Sequence, residues 1–187
     1  MVFNRRRMIE QTPAILLRKV RWSETSLIVT WITERFGTLR TVARGALRPK
    51  SPLAGRLDLF YDAEISLVLN RRSDLHTLRE VSVNSVFDLA RTGTGGFYLA
   101  CYFGELAGIA APAMHPSSGV FDLLRRGLRF AQRRAPTMKA LSHFEKELCH
   151  LLGVYDSTGE VGAITALASL YGTIPASREE ALKFLRP

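Results

Sequence analysis

The chain has 187 residues, 47% hydrophobic and 23% charged, which suits a globular protein with a real core and excludes a disordered polyelectrolyte. Its formal net charge of +9 is unevenly spread: residues 1–60 hold 12 Lys/Arg against 4 Asp/Glu, and residues 61–187 hold 14 against 13. Charge carried for solubility alone would be scattered, so the asymmetry points to a polyanion-binding module joined to a near-neutral one.

The basic N-terminal run Arg5–Arg6–Arg7 is followed by neither an apolar core nor a small-residue cleavage site, so no signal peptide is read. Residues 9–21 form a first expected strand, with Pro13 near its start, where a missing N–H is tolerable. A second follows Trp22: Leu27, Val29 and Trp31 alternate with Ile28 and Ile32, the period of a strand covered on both faces. Phe36–Gly37 turns the chain into a third strand from Thr38 to Gly45, with Arg40, Val42 and Arg44 on one face and Leu39, Thr41 and Ala43 on the other. The loop Gly45-Ala46-Leu47-Arg48-Pro49-Lys50-Ser51-Pro52 comes next, barred from a ladder by its two prolines.

A fourth strand is expected from about Phe60 to Leu69, where Ala63, Ile65, Leu67 and Leu69 alternate with Asp62, Glu64, Ser66 and Val68. After the polar turn Asn70–Asp74 comes a fifth, from about Leu75 to Val86. Five short strands in this space predict a small closed barrel of the five-stranded OB type.

The periodicity then changes to that of helices. Arg91-Thr92-Gly93-Thr94-Gly95-Gly96 reads as an interdomain linker; its glycine spacing does not match a dinucleotide loop and no βαβ unit surrounds it. Thr94 is the expected cap of a helix to about Ala111. This window is the most apolar of the chain but falls short of the roughly 20 residues of a membrane span. It reads as a buried helix, with Glu105 its buried acid. Ser117 or Ser118 caps the next helix, Gly119 to Arg133, with Phe121, Leu124 and Leu128 on its apolar stripe. A third runs from near Pro136 to Leu152, stopped by Gly153, and shorter pieces span Val161–Tyr171 and Glu179–Leu185. The fold class is thus α+β and multidomain: a basic OB barrel over residues 1–85 and an all-α domain over 86–187.

Two cysteines, Cys101 and Cys149, with no C-x-x-C, make neither a zinc site nor a disulfide scaffold and favour a reducing, cytoplasmic compartment. His143, Glu147 and His150 share a stripe of the third helix, with metal-ligand chemistry. They lie off the buried face defined by Leu141, Phe144, Leu148 and Leu152, and a solvated face is the reading adopted. No paired carboxylates or nucleophile–base set stands out, so no enzyme and no cofactor is expected. What remains is the basic barrel. Arg35, Arg40, Arg44, Arg48, Lys50 and Arg56 supply phosphate-binding charge, and Trp22, Phe36 and Tyr61 offer stacking faces to unpaired bases. Trp31, in phase with Leu27 and Val29, belongs to the core.

Several of these segments resemble one family. Glu24-Thr25-Ser26-Leu27, Thr33-Glu34-Arg35-Phe36-Gly37, Ala43-Arg44-Gly45-Ala46-Leu47-Arg48-Pro49-Lys50-Ser51, Leu57 to Phe60 and Asp74 to Glu80 are similar to the N-terminal signature of the bacterial DNA-repair family RecO. The resemblance continues at Tyr102 with Glu105-Leu106, at Phe121-Asp122-Leu123-Leu124, at Phe144-Glu145 and at Leu151-Leu152-Gly153. It implies a non-enzymatic, nucleoid-associated mediator of the RecF pathway. Such a protein binds single- and double-stranded DNA, anneals strands, and helps load RecA with RecR on DNA coated by single-stranded-DNA-binding protein (SSB). Carried over by position, Arg35, Arg40, Arg44, Arg48 and Lys50 would contact phosphates. Arg125, Arg126 and Arg129 would receive the acidic, apolar-ended SSB tail. The four-cysteine zinc motif of many family members has no counterpart here. The residues alone leave two other readings open: an RNA-binding or ribosome-associated module, and an adaptor whose charge serves solubility.

Overall fold

Five strands are followed by five helices: β1 (Ile9–Arg21), β2 (Leu27–Thr33), β3 (Gly37–Ala43), β4 (Tyr61–Val68), β5 (Leu75–Val86), α1 (Gly93–Ala110), α2 (Ser118–Arg133), α3 (Met138–Leu152), α4 (Ala163–Tyr171) and α5 (Ser177–Leu182). The structure, a computed structural model, describes residues 8–155 and 161–186, without the side chains of Ala90 and Arg91; Arg5, Arg6 and Arg7 lie outside the described residues.

The strands close in the order β1-β2-β3-β5-β4, with β4 returning to β1. All neighbours are antiparallel except β3 and β5, which run parallel. This is the OB-type barrel that the alternation predicts. Ala14, Leu16, Val29, Trp31, Leu39, Ala43, Ala63, Ile65, Leu67, Leu78 and Val81 fill its interior. The indole N–H of Trp31 donates to Thr41 Oγ1 at 2.9 Å, so the largest core side chain carries no unsatisfied donor.

The helices bury a second core, into which the barrel sends Ile15, Ile32 and Phe60 from its outer surface. A bulge between Leu16 and Arg18 shifts the register of β1 and leaves Leu17 unpaired with β2. Its side chain packs beside Gly104 and Gly108 of α1, where a Cβ would come within 3.5 Å and 3.1 Å of its methyls. Two glycines four residues apart thus leave a side-chain-free stripe on which the barrel rests.

Three sequence expectations change. Arg91–Gly96 is not a loop: a 3-10 turn spans Leu89–Thr92 and α1 begins at Gly93. Gly95 and Gly96 are buried because Phe184 and Pro136 crowd the first and Thr92 and Ala131 the second, which ties the segment into the helical core. Thr94 is not the cap; Thr92 holds that position, and its hydroxyl donates to the carbonyl of Ala131. Glu105 is exposed and accepts a 2.6 Å hydrogen bond from Ser177. The buried acid is Glu145, 3% exposed, which accepts from Tyr102 Oη at 2.8 Å and pairs with Arg178 Nε at 2.7 Å. Periodicity ranks Glu105 as buried because its helix is apolar, but it cannot say which side of that helix lies at the edge of the core, where Glu105 meets the start of α5. Among the described residues no helix is long and apolar enough to cross a membrane.

Candidate nucleic-acid interface

The β3–β4 connection is stiffened as its prolines suggest, and three apolar anchors set its path. Ala46, Leu53 and Leu57 are 6%, 6% and 8% exposed and join the barrel core. Consecutive backbone bonds fold the segment into turns, Arg48 N to Gly45 O, Ser51 N to Arg48 O and Arg56 N to Leu53 O among them. Leu47 N and Gly45 N reach across to Thr25 O and Ser26 Oγ at 2.9 Å and 3.2 Å, fastening the loop to the β1–β2 turn. Gly45 has φ +68°, a conformation that favours glycine. With Ala46, Leu53 and Leu57 turned in, the loop leaves Arg44, Arg48 and Lys50 exposed beside Leu47, with no carboxylate within ion-pair distance among the described residues.

The outer face of β1–β3 continues this surface. Cross-strand register aligns Arg18 with Thr30 and Thr30 with Arg40, and the next row aligns Val20, Ile28 and Val42. Strands lie about 4.8 Å apart, so Arg18 and Arg40 stand about 10 Å from each other across Thr30. Arg40 pairs with Asp74 at 3.6 Å, but both side chains are at least half exposed and the pair is weak. Val20 is 44% and Trp22 55% exposed. Arg18 and Arg40, with the exposed Val20 and Trp22 beside them, therefore border the strand 2–3 face by which OB folds hold oligonucleotides.

The other predicted residues serve elsewhere. Arg35 donates to Gln11 O at 2.6 Å, faces Glu10 and lies over the Phe36 ring, 5.0 Å from its centre. It locks the β2–β3 turn to β1 and occupies the face on which Phe36 was to stack a base. Arg56 donates to Val81 O at 3.0 Å at the foot of the loop. Tyr61 is half-buried in β4. Lys19 binds Leu57 O at 3.1 Å and Asp58 at 2.7 Å, and its hydrogen bond holds the Asp58 carboxyl below its ordinary pKa. Sequence reasoning missed Arg18 and Arg71, and neither carries a local signal: one is a strand residue, the other a turn residue, and only barrel closure turns them outward.

Between β3 and the α1–α2 connection lies a cleft of about 930 Å³. Arg40 and the β4–β5 turn, Asn70 to Asp74, form one wall; Ile109, Pro112 and Met114 form the other. His76 closes its floor, 4% exposed, and its Nδ1 accepts the Asn70 N–H at 3.0 Å. Burial pushes the imidazole below its ordinary pKa, against the pull of Asp74, which keeps that acceptor free of a proton.

The helical region holds a second hollow, about 480 Å³, between α2 and α3. Phe103, Leu123, Phe130 and Phe144 line it, with Arg126, Lys139 and His143 at its rim. Of the three arginines expected to receive a partner, Arg126 borders this hollow and Arg129 is exposed nearby on α2. Arg125 instead turns to the barrel: its Nε lies 3.0 Å from Asp62 Oδ2, its Nη2 donates to Oδ1 at 3.3 Å, and its guanidinium covers Phe121. The Nε contact is off the N–H line, so Nε has no hydrogen-bond partner and the pair is held by Nη2. The His143, Glu147, His150 stripe is divided, with His143 at the hollow and His150 stacked on Tyr155. No group of three metal-ligating side chains gathers among the described residues.

Comparison with known proteins places this arrangement. Residues 8–87 match the family model described as Recombination protein O N terminal. Over 140 residues the chain is 31% identical to the DNA repair protein RecO of Rhodopirellula baltica, covering 75% of this chain and 52% of that one. It is 28% identical over 173 residues to that of Marinobacter nauticus, 89% and 69%, and 30% identical over 154 residues to that of Idiomarina loihiensis, 79% and 65%. The chain thus spans about half to two thirds of the length of these relatives.

Proposed function

We propose that this chain is a DNA-binding protein of recombinational repair, because residues 8–87 match the RecO N-terminal family model and the likeness to RecO proteins runs on into the helices. It acts by neutralising phosphates and packing bases rather than by covalent chemistry. The barrel, to about residue 85, is its DNA-holding module, and the helical part from residue 86 takes protein partners. The observation that carries the reading is the open basic strip: Arg18, Arg40, Arg44, Arg48 and Lys50 are exposed along one flank of an OB barrel, and among the described residues only Arg40 of these meets a carboxylate. Such a flank holds a strand by its backbone without reading its sequence, which suits a mediator that anneals complementary strands and prepares them for RecA.

The test is fluorescence anisotropy of a labelled single-stranded DNA titrated with protein at several salt concentrations, with an RNA competitor. Binding that weakens steeply with salt and prefers DNA is expected. Absence of binding at low salt overturns the reading, and preference for RNA replaces it with the ribosome-associated alternative.

A partner role for the helical region is supported by the hollow between α2 and α3. Four apolar side chains with Arg126 and Lys139 at the rim suit an acidic peptide ending in an apolar residue, the chemistry of the SSB tail. Labelled tail peptide is expected to bind wild type and to lose affinity in Arg126→Ala. Unchanged affinity in that variant removes the hollow from the proposal. RecR is placed with the same region as a further proposed partner, tested by co-elution of the two purified proteins.

A further inference from the structure

The cleft beside β3 is built from two walls of opposite character, and the helical wall is held in place by the barrel itself. The α1–α2 connection docks on the tip of the β2–β3 hairpin through four bonds: Thr38 N to Ala111 O at 3.0 Å, Thr38 Oγ1 to Gly108 O at 2.9 Å, Met114 N to Phe36 O at 2.8 Å and Ser117 N to Glu34 O at 3.0 Å. Gly37 lies so close under this loop that a Cβ would fall 2.0 Å from Pro112 O. The helical wall of the cleft is therefore fixed to the hairpin by three backbone bonds and one from the Thr38 side chain.

Met114 donates one of these docking bonds from an unusual backbone conformation. Its φ is +63°, a left-handed conformation in which glycine is favoured and an L side chain is strained. The bond to Phe36 fixes the backbone but does not bury the side chain, which is 48% exposed and lines the cleft together with Ile109, 45% exposed. Opposite them stand Arg40 and Arg71, both exposed. Asp74 shares that wall, but its side chain is 76% exposed and its 3.6 Å pair with Arg40 yields readily to a phosphate.

We infer that this cleft is a single-strand slot, in which Arg40 and Arg71 take consecutive phosphates while Met114 and Ile109 take the faces of the unpaired bases. The inference rests on the DNA-binding reading of the barrel and deepens it, because it assigns strand specificity to the helical region. A duplex presents phosphates on its outside and hides its base faces, so it gains from the basic wall and nothing from the apolar one. A single strand gains from both, as bases packed on protein side chains contribute independently of sequence. Met114 is thus a specificity residue and Arg40 a general one.

The experiment compares wild type, Met114→Gly and Arg40→Ala, titrating a labelled single-stranded oligonucleotide and its duplex under one salt condition. Glycine relieves the left-handed strain, so Met114→Gly keeps the fold, and thermal melting is measured alongside to check it. The expected result is a single-strand Kd raised about three- to tenfold in Met114→Gly, at or below the lower end of what an aromatic stacking contact contributes because methionine has no ring, with duplex Kd within about twofold. Arg40→Ala is expected to weaken both forms alike. Equal loss on both forms in Met114→Gly, or loss on neither, overturns the slot while leaving the basic strip standing. Failure of wild type to bind DNA at all overturns the reading beneath it, and the slot with it.

Discussion

The open flank of the barrel and its junction with the helices use the same residue type in opposite ways. At the junction and within the helical region, arginines are consumed internally: Arg125 meets Asp62, which is 4% exposed, and Arg178 meets the buried Glu145. On the flank, Arg44, Arg48 and Lys50 are exposed and have no such partner among the described residues. The first group is structural, because a buried carboxylate deprived of its cation is costly. The second group contributes little to stability and leaves its charge for a ligand. Formal net charge counts both alike, so the +9 of the chain overstates what a polyanion meets at the junction and understates how concentrated it is on the flank.

Substitutions sharpen this contrast. The largest effect is expected from Glu145→Ala, which strands the Arg178 guanidinium and the Tyr102 hydroxyl, a phenol that burial already holds well above its ordinary pKa. A loss of about 3–5 kcal/mol, read by urea denaturation, follows from breaking a buried pair at one partner. Gly37→Ala comes next, on the order of 3 kcal/mol, since it combines a left-handed φ of +61° with the carbonyl of Pro112; a melting temperature equal to that of wild type would show the loop free to move aside. Arg44→Ala/Arg48→Ala/Lys50→Ala is expected to leave stability within about 0.5 kcal/mol and to lower the slope of log affinity against log salt by roughly 2, the weighting for about three phosphates on a single strand. If instead this triple variant unfolds more easily while its salt slope is unchanged, the flank is structural too and the contrast fails.

The smallest effect is a pH dependence at His76. Its folded pKa lies below the ordinary value of 6.5 because it is buried, with Asp74 opposing and the exposed Arg40 and Arg71 bordering the same cleft. The unfolded chain therefore takes up a proton first. The stabilising contribution is present above pH 6.5 and is lost as pH falls through the depressed folded value. Protonation also removes the acceptor for the Asn70 N–H, so the β4–β5 turn loosens over the same range. His76→Gln, which keeps an acceptor and does not titrate, is expected to flatten this part of the stability profile; an unchanged slope would assign the dependence to another group.

Strand and helix positions, the closed barrel and the inward face of each strand were legible in the sequence, because alternation of period two and stripes of period 3.6 are local properties that burial enforces residue by residue. Trp31 among the core residues and Arg44, Arg48 and Lys50 on an exposed loop follow from that pattern and from Pro49 and Pro52. The rest depended on tertiary contacts. Nothing near Arg35 or Arg125 in the chain announces that their partners are Gln11, Glu10 and Asp62, the last 63 positions away. Glu105 was expected to be buried and is exposed, while the buried acid is Glu145, whose partners Tyr102 and Arg178 lie 43 and 33 positions away. The glycines at 95 and 96 look like a linker until Phe184 and Ala131 are brought against them. Sequence determined which surfaces are apolar and where charge is dense, since those are sums over neighbouring residues. Only the folded chain decided which charges meet a partner and which remain free, since pairing depends on distances between residues far apart in the chain.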